Sequence, residues 1–333
     1  MSRSNADTNV PARAAEDTGT SEMRASEPGP PEAGPVTRKD RAGALLQATR
    51  PRQWLKNMLV FAAPAAAGTI LHLGPFLRTV AAFWIFVAAS ACTYLVNDVV
   101  DAESDRLHPI KRMRPVASGQ LEARAALAAA LVLGAAAVAG AAAIGLTMAA
   151  VVLAYLAISL AYTLRLKHVP LVELACVGSG FTLRAIGGGA AAHVLISPWF
   201  LVMTSFGALL IVAGKRTSEQ AVLGNEQAAH RVALEAYPPG FLRGVRVMAM
   251  TVTVTTYCLW AFERASALRP LHHSEDLVWF ELSIIPFVLA VLAIELAISR
   301  GRGGEPEDLA LSDHLLQFFG LAWVVLVLCG IYA

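Results

Sequence analysis

An acidic stripe that follows one apolar stretch of this chain is the feature best suited to chemistry. It begins at Asn97-Asp98 and continues through Asp101 and Asp105. On a helix, four-residue steps place Asn97, Asp101 and Asp105 about 40° apart in turn, so these side chains form one line. Oxygen ligands in such a line suit a divalent cation that carries a phosphorylated ligand. The stripe therefore indicates an enzyme, and a basic cluster follows it: Lys111, Arg112 and Arg114.

The composition indicates that these residues belong to a membrane protein. Apolar residues make up 56% of the 333 residues and charged residues 16%, with a mean hydropathy of +0.54, whereas soluble domains carry about 25% charged residues. A membrane-spanning helix needs about 20 apolar residues. We predict an all-α, multi-pass bundle of nine transmembrane helices, near residues 57–74, 78–97, 122–143, 147–165, 170–190, 197–214, 243–263, 277–299 and 312–332.

The beginning of the chain has a different composition. Residues 1–40 are rich in Pro, Ser, Glu and Ala without periodicity, which predicts a disordered tail. They show no basic, apolar and small-residue pattern of a cleaved signal peptide. Residues 41–333 are then the transmembrane catalytic domain.

The distribution of charge predicts the orientation. With the N-terminus inside, nearly all of the 27 Lys and Arg residues fall in the tail and the inside loops, and only Arg78, Arg264 and Arg269 fall outside. This asymmetry follows the positive-inside rule. It predicts a cell-membrane protein whose N-terminus and acidic stripe face the cytoplasm, where Mg²⁺ and phosphorylated metabolites are found.

Several cations lie on the same predicted side, namely Lys56, Lys167, Lys215 and Arg216. Lys and Arg at such helix ends commonly serve as topology anchors or lipid headgroup contacts. Arg184 differs because it lies within a predicted span, where a cation is costly unless it is paired or hydrated. The acidic stripe and Arg184 are therefore the stronger functional candidates.

Other chemistries have little support in the sequence. The four cysteines stand singly in apolar stretches, which indicates buried apolar residues rather than a disulfide or zinc site. The glycine-rich stretch 178–189 has no strand before it, and we interpret it as helix packing or a local break. No nucleic-acid partner is predicted, and a homo-oligomer is left open.

From about Leu45 to Ala333 the chain resembles the UbiA superfamily of membrane prenyltransferases. The resemblance rests on Asn97-Asp98-x-x-Asp101-x-x-x-Asp105 at the end of the second of nine helices. It implies that this motif binds Mg²⁺ and a diphosphate, with Asn97 and Asp101 as metal ligands. Asp105 would bind the metal through water or hold a ribose hydroxyl. Asp98 points about 100° away on the helix, so it would support the metal ligands or cap a helix end.

One departure narrows the resemblance. Superfamily members ordinarily carry a second Asp-rich motif after the sixth helix, where this chain has Lys215-Arg216-Thr-Ser-Glu219. Cations there suit a donor with one diphosphate and a further phosphate. With Arg50-Pro-Arg-Gln-Trp54 and Lys111-x-x-Arg114, the chain resembles a phosphoribosyl-transferring branch. This implies transfer of 5-phosphoribose from phosphoribosyl diphosphate to a polyprenyl phosphate lipid such as decaprenyl phosphate, on the route to cell-wall arabinan.

The expected substrate contacts follow from this resemblance. Tyr94, three residues before Asn97, would donate to a phosphate, and Lys111 and Arg114 would complete the diphosphate pocket. The remaining cations would bind the 5-phosphate and the acceptor phosphate: Lys56, Lys167, Arg184, Lys215 and Arg216.

Two other interpretations stay open. The first is a prenyltransferase that uses a prenyl diphosphate donor, which the missing second acidic motif disfavours. The second is a transporter or flippase that uses the stripe as an ion site. A transporter predicts acids spread through the bundle and a repeat in two halves, and neither is evident.

Overall fold

The computed structural model describes residues 38–223, 236–268, 278–302 and 306–332, and all regular secondary structure in these ranges is helical. Of the predicted tail, residues 1–37 lie outside the described residues. The α-helices are α1 Arg38–Ala48, α2 Ala62–Ala66, α3 Leu73–Val100, α4 Ala102–Leu107, α5 Ala123–Ile144, α6 Leu146–Leu164, α7 Val172–Ala192, α8 Pro198–Leu223, α9 Phe241–Leu268, α10 Val278–Leu282, α11 Ile284–Ser299, α12 Pro306–Ser312 and α13 His314–Tyr332. Short 3₁₀ helices cover Pro51–Phe61, Lys111–Met113 and Leu166–His168.

Seven segments of the described chain are long and apolar enough to cross a membrane. They are α3, α5, α6, α13, most of α8, most of α9, and Trp279–Ser299, which α10 and α11 form together. Helix α7 is also 21 residues long, although it carries Glu173 and Arg184. The prediction of an all-α, multi-pass bundle is confirmed.

The first predicted span, residues 57–74, is not one helix. It starts in the 3₁₀ helix, continues into α2 and ends at Gly68, whose φ is 73°. The Gly68 N–H donates to the Ala65 carbonyl (2.9 Å) and the Thr69 N–H to the Pro64 carbonyl (3.1 Å). These two bonds form a helix C-terminal motif that needs a left-handed residue, usually glycine. Within the described chain, nine predicted spans thus correspond to eight long helical segments and this broken one.

The broken segment packs directly on α7. A Cβ at Gly188 would lie 1.8 Å from the carbonyl oxygen of Val60, and a Cβ at Gly187 would lie 2.5 Å from the ring of Phe86. Only glycine allows such approaches, so the glycine-rich stretch serves helix packing, the first of the two interpretations above. These contacts bring the first segment and α3 against the same helix.

One end of the bundle collects several acidic side chains. The end of α3 meets the 3₁₀ turn before α7 through Asp101 and Lys167. The start of α7 meets the end of α8 through Glu173 and Arg216. We call this end, which also carries Asp98, the acidic end.

The contact between α7 and the broken segment gives a stability prediction. We expect Gly188→Ala to lower the free energy of unfolding, because overpacking costs about 1–3 kcal/mol and the clash is with backbone. Thermal unfolding in detergent measures the effect. Gly320→Ala is the matched control, since a Cβ there meets nothing within 4 Å. Equal unfolding midpoints for the two variants would contradict this packing.

Candidate active site

The acidic stripe keeps its helical spacing in the structure. Helix α3 ends at Val100 and α4 begins at Ala102, so Asp101 is the one residue between them. The Asp101 N–H donates to the Asn97 carbonyl (2.9 Å), and the Asp105 N–H donates to the Asp101 carbonyl (2.8 Å). Asn97, Asp101 and Asp105 therefore follow one another at single-turn intervals.

Asp101 forms an ion pair with Lys167 across the acidic end. The ammonium group belongs to the 3₁₀ turn Leu166–His168, 66 residues further along the chain. Both side chains are about one-fifth exposed, Lys167 at 19% and Asp101 at 24%. The pair fixes the turn before α7 against the end of α3 and leaves Asp101 accessible to a ligand.

Asn97 and Asp101 fit a magnesium site. They offer one amide and one carboxylate oxygen at adjacent turns, and both are half-buried. No group of three His, Cys, Asp or Glu side chains in the described residues is arranged to hold a metal ion. A two-ligand site still suits Mg²⁺, which keeps several waters and uses one or two protein ligands plus substrate phosphates.

Asp98 is an anchor for two arginines. Its carboxylate is 2% exposed and pairs with Arg50 and, at 3.5 Å, with Arg114. Arg114 also donates to Asp105 at 2.6 Å. This arrangement matches the supporting role expected for Asp98. Arg114, which was predicted to bind diphosphate, is therefore bound to two carboxylates of the protein, Asp98 and Asp105.

Arg50 is a site residue that the sequence analysis did not select. It has a left-handed backbone with φ 55°, and its guanidinium lies 5.0 Å from the ring centre of Tyr94. Arg50 thereby connects Tyr94 and Asp98 to the start of the broken segment. The available signal was its place in Arg50-Pro-Arg-Gln-Trp54, one of the motifs on which the resemblance rests.

Lys56 and Lys111 also lie at this end of the molecule. Lys56 donates to Gln53 within the first 3₁₀ helix. Lys111 starts the second 3₁₀ helix, and its backbone N–H donates to Nδ1 of His108 at 3.2 Å. Both residues are half-buried, and their contacts with phosphate stay predictions.

Arg184 is deeply buried, at 4% exposure. It donates to Oδ1 of Asn57 (2.6 Å), to the Gly180 carbonyl (2.7 Å) and to the Tyr155 hydroxyl (3.0 Å). All three partners are neutral. Asn57 in turn donates to Ser90 of α3 at 3.5 Å. Arg184 therefore joins α7, α6, α3 and the broken segment, a positioning role that the sequence did not reveal.

Arg216 is held by acids rather than open to a phosphate. It donates to both carboxylate oxygens of Glu173, with the shortest contact 2.7 Å, and to Glu219 at 2.6 Å. It also donates to the Tyr162 hydroxyl at 3.3 Å. Arg216 and Glu173 are buried. A phosphate would therefore compete with two carboxylates for Arg216. Of the predicted cations Lys215 and Arg216, Lys215 stays the predicted phosphate ligand.

Tyr237 completes the Glu173 cluster. Its hydroxyl accepts the Leu171 N–H at 2.9 Å and donates to Glu173 at 3.4 Å. Burial raises the pKa of Tyr237, so the phenol stays protonated at neutral pH and can donate. Leu171 has a φ of 66°, and the Tyr237 contact holds this turn at the start of α7.

The fold and the acidic end together define a class of protein, an integral membrane helical bundle suited to a phosphorylated ligand. Residues 58–300 match the UbiA prenyltransferase family. The chain belongs to that family. Membership in a family of transferases also argues against the transporter interpretation.

Two relatives narrow the comparison. The chain is 43% identical over 287 residues to decaprenyl-phosphate phosphoribosyltransferase of Mycobacterium tuberculosis, covering 85% of this chain and 92% of that protein. It is 39% identical over 298 residues to the protein of the same name from Corynebacterium glutamicum, covering 88% of each.

A solved structure supports the fold. A UbiA homologue from Archaeoglobus fulgidus, bound to GPP and Mg²⁺, aligns with a TM-score of 0.58 at 18% identity and covers 86% of this chain and 98% of that one. At this identity the likeness concerns the fold.

The Glu173 cluster gives a second stability prediction. We expect Glu173→Gln to destabilise the protein, because breaking a buried ion pair costs about 3–5 kcal/mol; Glu219 stays in place, so the lower end applies. Glu122→Gln is the control, since Glu122 lies 3.9 Å from Arg41 and both side chains are mostly exposed, and such pairs contribute at most about 1 kcal/mol. The free energy of unfolding of both variants is measured in detergent, and equal losses for the two variants would contradict the role of the cluster.

Proposed function

We propose that this chain is a Mg²⁺-dependent phosphoribosyltransferase of the membrane. It transfers 5-phosphoribose from phosphoribosyl diphosphate to a polyprenyl phosphate, specifically decaprenyl phosphate, and releases diphosphate. The product serves arabinan synthesis for the cell wall. The observation that carries this proposal is the 39–43% identity, over most of both chains, to proteins named decaprenyl-phosphate phosphoribosyltransferase.

The charges at the acidic end fit this donor. Asn97 and Asp101 would hold Mg²⁺, which supplies neutralisation of the charge that grows on the leaving diphosphate. Lys167 keeps the Asp101 carboxylate in place. Asp105, one further turn along, is 3% exposed and bound by Arg114, so it holds Arg114 in place, and its contact with a ribose hydroxyl or a metal-bound water stays a prediction. Further phosphate contacts come from Tyr94, Lys56, Lys111 and Lys215.

The reaction needs no protein base. The bond between ribose C1 and the diphosphate oxygen breaks, and the diphosphate leaves with the electron pair. An oxygen of the acceptor phosphate forms the new bond to C1. A phosphate monoester with a second pKa of about 6 is already largely dianionic at pH 7. Catalysis then rests on positioning and on charge stabilisation, which agrees with a site of cations and metal ligands.

Arg184 and Arg216 act as positioning residues in this proposal. Arg184 holds the segment that carries Arg50 and Lys56 through its contact with Asn57. Arg216 fixes the start of α7 through Glu173.

The membrane orientation is also part of the proposal. The N-terminus and the acidic end face the cytoplasm, where the soluble donor is available, and residues 1–40 precede the catalytic domain as a tail. This orientation is supported by the bias of Lys and Arg towards that side.

A prenyltransferase reaction is the second candidate, because the homologous archaeal structure contains GPP. The two reactions are distinguished by incubating the purified protein with ribose-labelled phosphoribosyl diphosphate and decaprenyl phosphate. We expect label in the lipid fraction and release of diphosphate. Consumption of a prenyl diphosphate, with no label in lipid, would instead establish the prenyltransferase.

The metal-ligand assignment gives a mutational prediction. We expect Asp101→Asn to reduce turnover by more than about 100-fold, beyond the about 10–100-fold losses typical of residues that only support metal ligands. Folding is checked by the unfolding midpoint. Glu103→Gln is the control, because Glu103 is exposed on the neighbouring α4 and should leave turnover unchanged. An Asp101→Asn variant with full turnover would eliminate this ligand.

A further inference from the structure

The chain between α4 and the 3₁₀ helix Lys111–Met113 turns around the side chain of His108. This histidine directly follows α4 and is half-buried. Its Nδ1 accepts two backbone hydrogen bonds, one from the Ile110 N–H and one from the Lys111 N–H, both at 3.2 Å. One imidazole therefore closes the turn from which Lys111 starts the 3₁₀ helix.

Both of these N–H groups need an acceptor from outside the helix that they begin. The first N–H groups of a helix have no carbonyl partner within that helix. Ile110 is the residue just before the 3₁₀ helix, and no side chain at that position caps it. The imidazole two residues earlier supplies the acceptor instead, so the shape of this turn depends on the type of side chain at position 108.

The contact also determines which nitrogen of the ring carries the proton. A nitrogen that accepts a hydrogen bond has no proton of its own, so the neutral imidazole of His108 carries its proton on Nε2. The amide oxygen of asparagine stands as many bonds from Cα as Nδ1 does, whereas the amide oxygen of glutamine stands one bond further away. Asparagine can therefore replace this acceptor and glutamine cannot.

The backbone of His108 ties the same turn to the acidic stripe. The His108 N–H donates to the Asp105 carbonyl at 3.2 Å, and the Arg112 N–H donates to the His108 carbonyl at 3.2 Å. His108 is thus bonded to α4 on one side and to the 3₁₀ helix on the other. Its imidazole keeps a fixed place between the stripe and the turn.

The other end of the turn is fixed by Arg114. The Arg114 N–H donates to the Lys111 carbonyl at 2.9 Å, and the Arg114 guanidinium binds Asp105 at 2.6 Å and Asp98 at 3.5 Å. A 3₁₀ helix has about three residues per turn, so residues 111 and 114 lie on one face. The backbone of Lys111 is therefore held by His108 before it and by Arg114 after it.

We propose that His108 is a positioning residue for Lys111 and acts through the turn without touching the donor. The inference rests on the proposed function, in which Lys111 contacts a phosphate of phosphoribosyl diphosphate. Ordering a long, flexible side chain on binding is costly in entropy, and a fixed backbone reduces that cost. The affinity for the donor then depends on the imidazole, whereas the affinity for the lipid acceptor does not.

The kinetic test compares three substitutions of His108. Initial rates are measured for wild type, His108→Leu, His108→Gln and His108→Asn. We expect the KM for phosphoribosyl diphosphate to rise at least ~5-fold with Leu and Gln, the effect of losing about one net hydrogen bond. With Asn it should stay within about twofold of wild type, and the KM for decaprenyl phosphate should stay within about twofold in all variants.

A double-mutant cycle tests whether the effect passes through Lys111. In a Lys111→Ala background, we expect His108→Leu to raise the donor KM by less than about twofold further, because residues that act as one unit are not additive. Fully additive losses would overturn the proposal, since they would place the effect of His108 elsewhere. His314→Leu is the control, because His314 is an exposed histidine at the start of α13 and should leave both KM values unchanged.

Hydrogen exchange measures the turn without turnover. We expect the amides of Ile110 and Lys111 to exchange faster in His108→Leu than in wild type or His108→Asn. His108→Gln gives the same comparison if the Leu variant does not fold. Unchanged exchange would overturn the proposal.

The proposal and the proposed function fail in different ways. Labelled lipid with an unchanged donor KM in His108→Leu and His108→Gln would overturn the positioning role alone. A lower unfolding midpoint with both KM values unchanged would also overturn it, because His108 would then only stabilise the fold. Failure of wild type to label any lipid acceptor would instead refute the proposed function, and the role of His108 in donor binding would fall with it.

Discussion

The interaction on which the rest of this structure depends is the pairing of four acids with cations from other elements, and these acids are Asp98, Asp101, Asp105 and Glu173. A carboxylate near a membrane boundary is costly to bury without a partner. Asp98 takes Arg50 from the broken segment, Asp101 takes Lys167 from the turn before α7, and Glu173 takes Arg216 from α8. These pairs fix separate elements against the ends of α3 and α7, so the same charges that suit a phosphorylated ligand also assemble its site.

This pairing explains how the site can favour a donor that arrives with a metal ion. The stripe carboxylates already have cationic partners within the chain, so a bare multiply charged anion would meet a nearly balanced end. In the proposed function, a divalent cation held by Asn97 and Asp101 would add positive charge where the diphosphate is proposed to bind. Of the two cations that stand in place of a second acidic motif, Arg216 is held by Glu173 and Glu219, so the proposed contact with a further phosphate rests on Lys215.

Much of the fold was predictable, because apolar length and helical spacing are local properties of the sequence. The stripe from Asn97 to Asp105 needs only a continuous helix to align. The pairing of Arg216 with Glu173 joins residues 43 positions apart, and no local pattern specifies it. The break at Gly68 and the contact of Gly188 with Val60 likewise depend on packing between segments.

Donor binding without turnover is the most direct test of the central claim that the acidic end holds a Mg²⁺–phosphoribosyl diphosphate complex. Isothermal titration of the purified protein in lipid nanodiscs would compare phosphoribosyl diphosphate with geranyl diphosphate, each with Mg²⁺ and with EDTA. The account predicts that phosphoribosyl diphosphate binds at least ~10-fold more tightly with Mg²⁺ than with EDTA, a difference of about 1.4 kcal/mol or more, and more tightly than geranyl diphosphate. Equal affinity with and without Mg²⁺, or a preference for geranyl diphosphate, would contradict it.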